Sequence, residues 1–143
     1  MRPYTVTYTP DDDDTNGFAS AVTGTSGVAF VLDESTTPDD GMAHLVIITP
    51  SGSVTGNYTI LGTDANGDSQ TEVLATNTTN PVTSVKYYKT LVSVLAPSGI
   101  ASETVDIGWT DDVVSLRYPL DYNSPYAANI YIDISGTIDF DIQ

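Results

Sequence analysis

The residues best spaced for chemistry are Asp64, Asn66 and Asp68, three oxygen-bearing side chains that alternate in the sequence DANGD. Alternating oxygen ligands of this kind hold Ca²⁺ in calcium-binding loops. The run is not an EF-hand, because its glycine is misplaced and a strand-like sequence replaces the distal glutamate. An Asn-Gly pair between two alternating runs also predicts a β-hairpin turn. We therefore expect a turn, with Asp64, Asn66 and Asp68 as a weak candidate metal site.

The single histidine, His44, lies in the apolar run HLVIIT, and the chain has no cysteine. A transition-metal site needs additional histidine or cysteine ligands, and a serine or threonine nucleophile would need His44 as its base. Aspartates are abundant, but most stand in runs or turns, where solvated carboxylates are expected rather than a pair for glycoside hydrolysis. We expect no catalytic residue and no cofactor, and we predict that the protein is not an enzyme.

Aromatic residues are the remaining candidates for binding. Trp109 shares one face of a strand-like run with Val105 and Ile107, which predicts a place in the core. Tyr87 and Tyr88 must point to opposite faces of a strand, so only one of them can be buried in a two-layer fold. We assign Tyr88 to the surface as an aromatic contact residue.

The charge of the chain limits its partners. Nineteen acidic residues stand against four basic ones, which gives a net charge of −15. Phosphate backbones and anionic membrane surfaces need clustered lysine and arginine, so we expect neither nucleic acid nor membrane as a partner. An acidic surface of this kind favours solubility and suits a basic partner.

Alternating Thr, Val, Ile and Tyr residues between Gly, Asn, Asp and Pro loops predict an all-β fold. About ten short strands favour a two-sheet β-sandwich, jelly-roll-like, with an immunoglobulin-like sandwich as the alternative. Residues 28–32 and 44–49 are apolar on both faces, which is typical of central strands. Residues 10–17 form a charged loop in this interpretation, and residues 87–96 a single strand. We see no boundary within residues 1–143 and predict one domain.

Both ends of the chain have strand character. In residues 127–143 the even positions from Ala128 to Ile142 are apolar except Gly136, and the odd positions are mostly polar. Residues 1–9 alternate Tyr and Val with Thr. Since terminal strands can pair with other chains, these two segments are predicted to contact neighbouring subunits. The candidate interface residues are Arg2, Pro3, Tyr4, Tyr88, Tyr131 and Phe140.

Five segments between residues 44 and 111 resemble a pattern found in structural proteins of tailed bacteriophages. They are LVIIT at 45–49, GNYTILGTDANGD at 56–68, TEV at 71–73, KYYKTLVSV at 86–94 and VDIGW at 105–109. The opening MRPY and the closing NSPYAANIYIDISGTIDFDIQ are similar to the ends of such proteins.

This resemblance implies a virion component, and small β-sandwiches of that class include capsid decoration or cement proteins. It implies binding to the major capsid protein on the outer capsid surface, assembly as a homotrimer and synthesis in the host cytoplasm. A phage tail or neck component and a carbohydrate-binding attachment module are the alternatives. The resemblance supplies no catalytic or metal-binding residue.

Overall fold

The computed structural model describes residues 9–33, 36–77 and 81–114, which fold as two antiparallel β-sheets packed face to face. The strands are β1 (Asp14–Thr23), β2 (Ala43–Pro50), β3 (Asn57–Thr63), β4 (Ser69–Ala75), β5 (Val82–Tyr88), β6 (Thr90–Leu95) and β7 (Thr104–Val114). One sheet has the order β1-β7-β2-β5 and the other β4-β3-β6. The prediction of an all-β sandwich is confirmed. The described ranges contain no helix that could cross a membrane.

The connectivity of the sandwich is that of a jelly roll. Residues 28–31, called the edge segment from here on, extend the three-stranded sheet through an antiparallel bridge between Ala29 and Leu95. The antiparallel pairs then nest along the chain: β1 with β7, the edge segment with β6, β2 with β5, and β3 with β4. Eight strands paired in this way make the two Greek keys of a jelly roll. An immunoglobulin-like sandwich would place its first and last strands in different sheets, whereas β1 and β7 are neighbours here.

The core lies between the sheets and is rich in aromatic side chains. Val105, Ile107 and Trp109 are all buried on one face of β7, which confirms the predicted alternation and the core position of Trp109. The rings of Phe18 and Trp109 meet edge to face with centroids 4.9 Å apart, a favourable aromatic geometry. This contact fixes β1 against β7.

Three predicted boundaries are corrected by the structure. Residues 28–32 are not a central strand, because they lie at a sheet edge with Val28 and Val31 exposed to solvent. The charged loop is shorter than predicted, since β1 already begins at Asp14. Residues 87–96 are not one strand, because the chain passes at Lys89 from one sheet to the other. For residues 28–32 and 87–96, strand pairing decided the element, and the local apolar pattern does not show that pairing.

Removing the hydroxyl of Tyr58 is expected to stabilise the protein. The side chain is fully buried, and its hydroxyl has no hydrogen-bond partner among the described residues. A buried polar group without a partner costs about 1–3 kcal/mol, so Tyr58→Phe should raise the free energy of unfolding by about 1 kcal/mol in urea titrations. Tyr87→Phe, at a half-buried position, is the control and should change it by less than about 0.5 kcal/mol.

The effect of Tyr58→Phe on the free energy of unfolding should depend on pH. Burial, assisted by the negative charge of Glu103, raises the pKa of Tyr58 from 10.0 to about 12. The stability contributed by the neutral phenol is therefore present below pH 10 and is lost as the pH rises towards 12. Tyr58→Phe should lose less stability than the parent over this range. A variant less stable than the parent at pH 7 would show that the hydroxyl has a partner.

Candidate functional site

The DANGD loop, residues 64–68, forms the predicted hairpin turn between β3 and β4. The Asp64 N–H donates to the Asp68 carbonyl at 2.9 Å, and Gly67 adopts a positive φ of 90°. Asp64 Oδ1 accepts hydrogen bonds from the backbone N–H groups of Asn66 at 2.8 Å and of Asp68 at 3.0 Å. The hydrogen bond from Asp68 has the largest effect on the pKa of the Asp64 carboxyl and lowers it, and the bond from Asn66 lowers it further. The residue therefore builds the turn that the Asn-Gly pair predicted.

Metal-ligand groups do not converge in the described part of the chain, where no three His, Cys, Asp or Glu side chains are placed to hold an ion. The weak candidate set of Asp64, Asn66 and Asp68 contains only two such carboxylates, and one Asp64 oxygen is already used by the turn. The geometry of this loop is explained by hairpin formation alone.

His44 is buried and is bonded at both ring nitrogens. Nδ1 lies 2.7 Å from the Thr110 carbonyl oxygen, and Nε2 lies 2.9 Å from Asp40 Oδ2. The side chain is 1% exposed. A general base needs a free nitrogen within reach of a substrate proton, so His44 cannot serve a serine or threonine nucleophile in this arrangement. Its role is to join β2 to β7 and to the loop before β2.

Tyr88 is not the surface aromatic residue that the sequence predicted. It is fully buried in the core, and its β5 neighbour Tyr87 is the one that faces outward. The alternation was therefore read correctly, but the two faces were assigned the wrong way round. The other interface candidates lie outside the described residues: Arg2, Pro3, Tyr4, Tyr131 and Phe140. The same holds for residues 1–8 of the N-terminal segment and for all of the C-terminal segment, residues 127–143.

Polar side chains cap the exposed backbone groups of two strands on one side of the sandwich. The Glu72 carboxylate of β4 accepts hydrogen bonds from the N–H groups of Val85 at 2.8 Å and Lys86 at 3.1 Å in β5. In return, Lys86 Nζ donates to the Thr71 carbonyl of β4 at 2.8 Å. Charged side chains at sheet edges prevent further strands from adding. These contacts therefore close the β4 and β5 edges.

The edge formed by β1 is capped as well. Asp33 accepts a hydrogen bond from the Ser20 N–H through Oδ2 at 3.1 Å, and its own N–H donates to the Phe18 carbonyl at 2.8 Å. A carboxylate therefore lies beside the backbone of this strand. Three of the four edges formed by the described strands thus carry a charged side chain on their backbone groups.

Among the described residues, no charged side chain caps the edge segment, residues 28–31. Its inner side pairs with β6, where the Phe30 N–H donates to the Val94 carbonyl and the Ala96 N–H donates to the Val28 carbonyl, both at 2.9 Å. Its side chains Val28 and Val31 are 53% and 78% exposed. An uncharged edge strand of this kind accepts an added strand from another chain. One sequence signal was available and missed: residues 15–32 contain no charged residue.

The outer face of the three-stranded sheet continues this uncharged surface. Ala29, Leu95, Thr59 and Val73 are paired in one row across the sheet, and none of them is buried. The next row is Ser93, Leu61 and Thr71, and it also lacks charge. On a protein with a net charge of −15, two uncharged rows beside an uncapped edge are the strongest candidate for a protein-binding surface.

Comparison of the chain with protein-family models, with curated proteins and with solved structures finds no match.

Proposed function

We propose that this protein is a non-enzymatic structural protein of a tailed-bacteriophage virion. In this proposal it binds the major capsid protein on the outer capsid surface as a homotrimer and stabilises the shell. The observation that carries the proposal is the uncapped edge segment, residues 28–31, next to the uncharged outer face of the three-stranded sheet. The resemblance of residues 44–111 to phage structural proteins supports the choice of the major capsid protein as partner, and the surface supports a contact by strand addition.

The charge distribution supports a protein partner. Acidic residues are spread over the loops and the other edges, so the surface as a whole repels phosphate backbones. Within the described ranges no carboxylate is bonded to the backbone groups of the edge segment, so those groups remain open to main-chain hydrogen bonds from a protein strand. An extended strand from a capsid subunit could pair there through main-chain hydrogen bonds and insert its side chains beside Val28 and Val31. Such pairing needs no pocket and no cofactor.

Val31→Lys is expected to weaken capsid binding by about tenfold or more, because a charged edge strand resists strand addition. The measurement is co-sedimentation of the purified protein with undecorated capsids assembled from the major capsid protein of the same genome. Val31 is 78% exposed, so the substitution should leave the free energy of unfolding nearly unchanged.

The matched control is Val85→Lys, since Val85 is 82% exposed on the β5 edge that Glu72 already caps. It should sediment with capsids as the parent does. A parent protein that stays in the supernatant would refute capsid binding, and equal effects of the two substitutions would refute the assigned surface. Labelling of tails at six or twelve copies per particle would identify a tail or neck component instead.

A further inference from the structure

A small cavity opens at the end of the sandwich where the β3–β4 turn, β5 and the end of β7 meet. It has a volume of about 230 Å³ and is open on one side. Its lining includes Asp64, Asn66, Gln70, Lys86, Tyr87 and Val114. The cavity is separate from the edge segment, which belongs to the opposite edge of the three-stranded sheet.

The polar groups of this cavity are held by the fold and keep further hydrogen-bonding capacity. Gln70 Nε2 donates to the Tyr87 carbonyl at 2.5 Å, which leaves the Gln70 amide oxygen as an acceptor. Lys86 Nζ donates one hydrogen bond, to the Thr71 carbonyl, and carries three donors in all. Asp64 uses Oδ1 for the turn, so Oδ2 lies outside those bonds. Donors and acceptors therefore line the same opening.

An aromatic ring completes the lining. Tyr87 is half-buried on the outward face of β5, so part of its ring remains accessible beside the polar groups. A sugar ring offers apolar C–H groups on its faces and hydroxyl groups at its rim, and the two kinds of group match a tyrosine ring bordered by amide, ammonium and carboxylate. Binding sites of this type combine an apolar surface with a few placed polar groups.

Charge and size narrow the ligand class. The lining carries one carboxylate and one ammonium group, and the remainder of the protein is strongly acidic, so an anionic ligand is disfavoured. The volume is below the roughly 300–1,000 Å³ of sites for drug-sized ligands, which fits one monosaccharide unit. We propose that this cavity binds a single uncharged monosaccharide unit of a larger glycan.

The experiment is a screen of the full-length protein against an array of neutral glycans, followed by titration with the best ligand. Tyr87→Ala should weaken binding by about tenfold or more through loss of the ring. The Gln70 hydrogen bond to the Tyr87 carbonyl does not require the side chain, so the cavity wall is retained. Val92→Ala, at a 63% exposed position of β6 outside the cavity lining, is the control and should bind as the parent does.

A second measurement keeps the result independent of variant folding. In the parent protein, amide NMR shifts caused by the glycan should concentrate at residues 64–70 and 86–87. Absence of binding at millimolar concentrations, unchanged binding by Tyr87→Ala, or shifts centred elsewhere would each overturn the proposal. Val31→Lys should bind the glycan normally, because its substitution is remote from the cavity, so failure of capsid binding and failure of glycan binding are distinguishable.

Discussion

Gly108→Ala is expected to lower the free energy of unfolding by about 3 kcal/mol or more, because backbone atoms occupy the place of the new methyl group. A Cβ at this position would lie 1.8 Å from the Asp14 carbonyl oxygen and 2.4 Å from the carbonyl carbon of Thr15. Backbone cannot rotate aside as a side chain does, so β1 must move away from β7. That movement would also disturb the contact between Phe18 and Trp109.

The measurement is urea unfolding followed by Trp109 fluorescence, since the indole lies beside the displaced strand. Gly52→Ala is the control, because a Cβ there would meet only the side chain of Glu103, at 3.1 Å from Cγ. Its stability should remain within about 0.5 kcal/mol of the parent. If the two variants are equally stable, β1 adjusts without loss and the close approach of the strands is not a constraint.

Local patterns predicted the parts of the fold that depend on neighbours in sequence. Alternation placed Val105, Ile107 and Trp109 together, and the side-chain direction in a strand follows from backbone geometry alone. The Asn-Gly pair predicted the turn after β3, because glycine supplies the positive φ that Gly67 adopts. Such features need no knowledge of the rest of the chain.

Features that depend on pairing with distant strands could not be predicted from local sequence patterns. Alternation required Tyr87 and Tyr88 to face opposite sides, but only the packing of β5 against the other sheet determines that Tyr88 is buried. The apolar sequence of residues 28–31 is compatible with a central strand and with an edge strand, so the pattern does not distinguish the two positions. Their position became visible only when the bridge from Ala29 to Leu95 placed them outside β6.

The candidate sites also depend on distant strand pairing more than on local sequence. The cavity joins a turn at residues 64–66 to Lys86 and Tyr87 and to the end of β7, so no local motif contains it. The uncapped edge is recognised only by contrast with edges that Glu72 and Asp33 cap. Sequence analysis found the two tyrosines but missed the charge-free stretch of residues 15–32, and the sheet order decides which of these residues face solvent.

Asp40→Asn is expected to lower the free energy of unfolding by about 3 kcal/mol at pH 7, because it removes the carboxylate at the centre of a buried hydrogen-bond cluster without changing the size of the side chain. The Asp40 side chain is 3% exposed and accepts hydrogen bonds from the backbone N–H groups of Asp11 and Met42 and from His44 Nε2. An asparagine at this position has an NH₂ group in place of one carboxylate oxygen, and that NH₂ group would face at least one of these three donor groups. His44 then loses its carboxylate partner inside the protein, where a polar group without a partner is costly.

At acidic pH, the difference in the free energy of unfolding between Asp40→Asn and the parent should become smaller. Burial raises the pKa of Asp40, but the hydrogen bonds from Met42, Asp11 and His44 outweigh it, so the pKa lies below its usual value of 3.8. The stability that the carboxylate contributes is therefore present above that value and is lost as the pH falls through the lower folded-state pKa. Unfolding measured from pH 7 to pH 3 should show the two curves converging below about pH 4.

Asp39→Asn makes the same change of charge at an exposed neighbour and isolates the contribution of the cluster. It should match the parent within about 0.5 kcal/mol at every pH, because a substitution at an exposed position outside the cluster changes stability little. If Asp40→Asn instead behaves like Asp39→Asn, the hydrogen bonds to His44 and Asp11 contribute nothing net. The loop before β2 would then be held in place by its other contacts, such as the hydrogen bond from the Leu91 N–H to the Thr36 carbonyl at 2.7 Å.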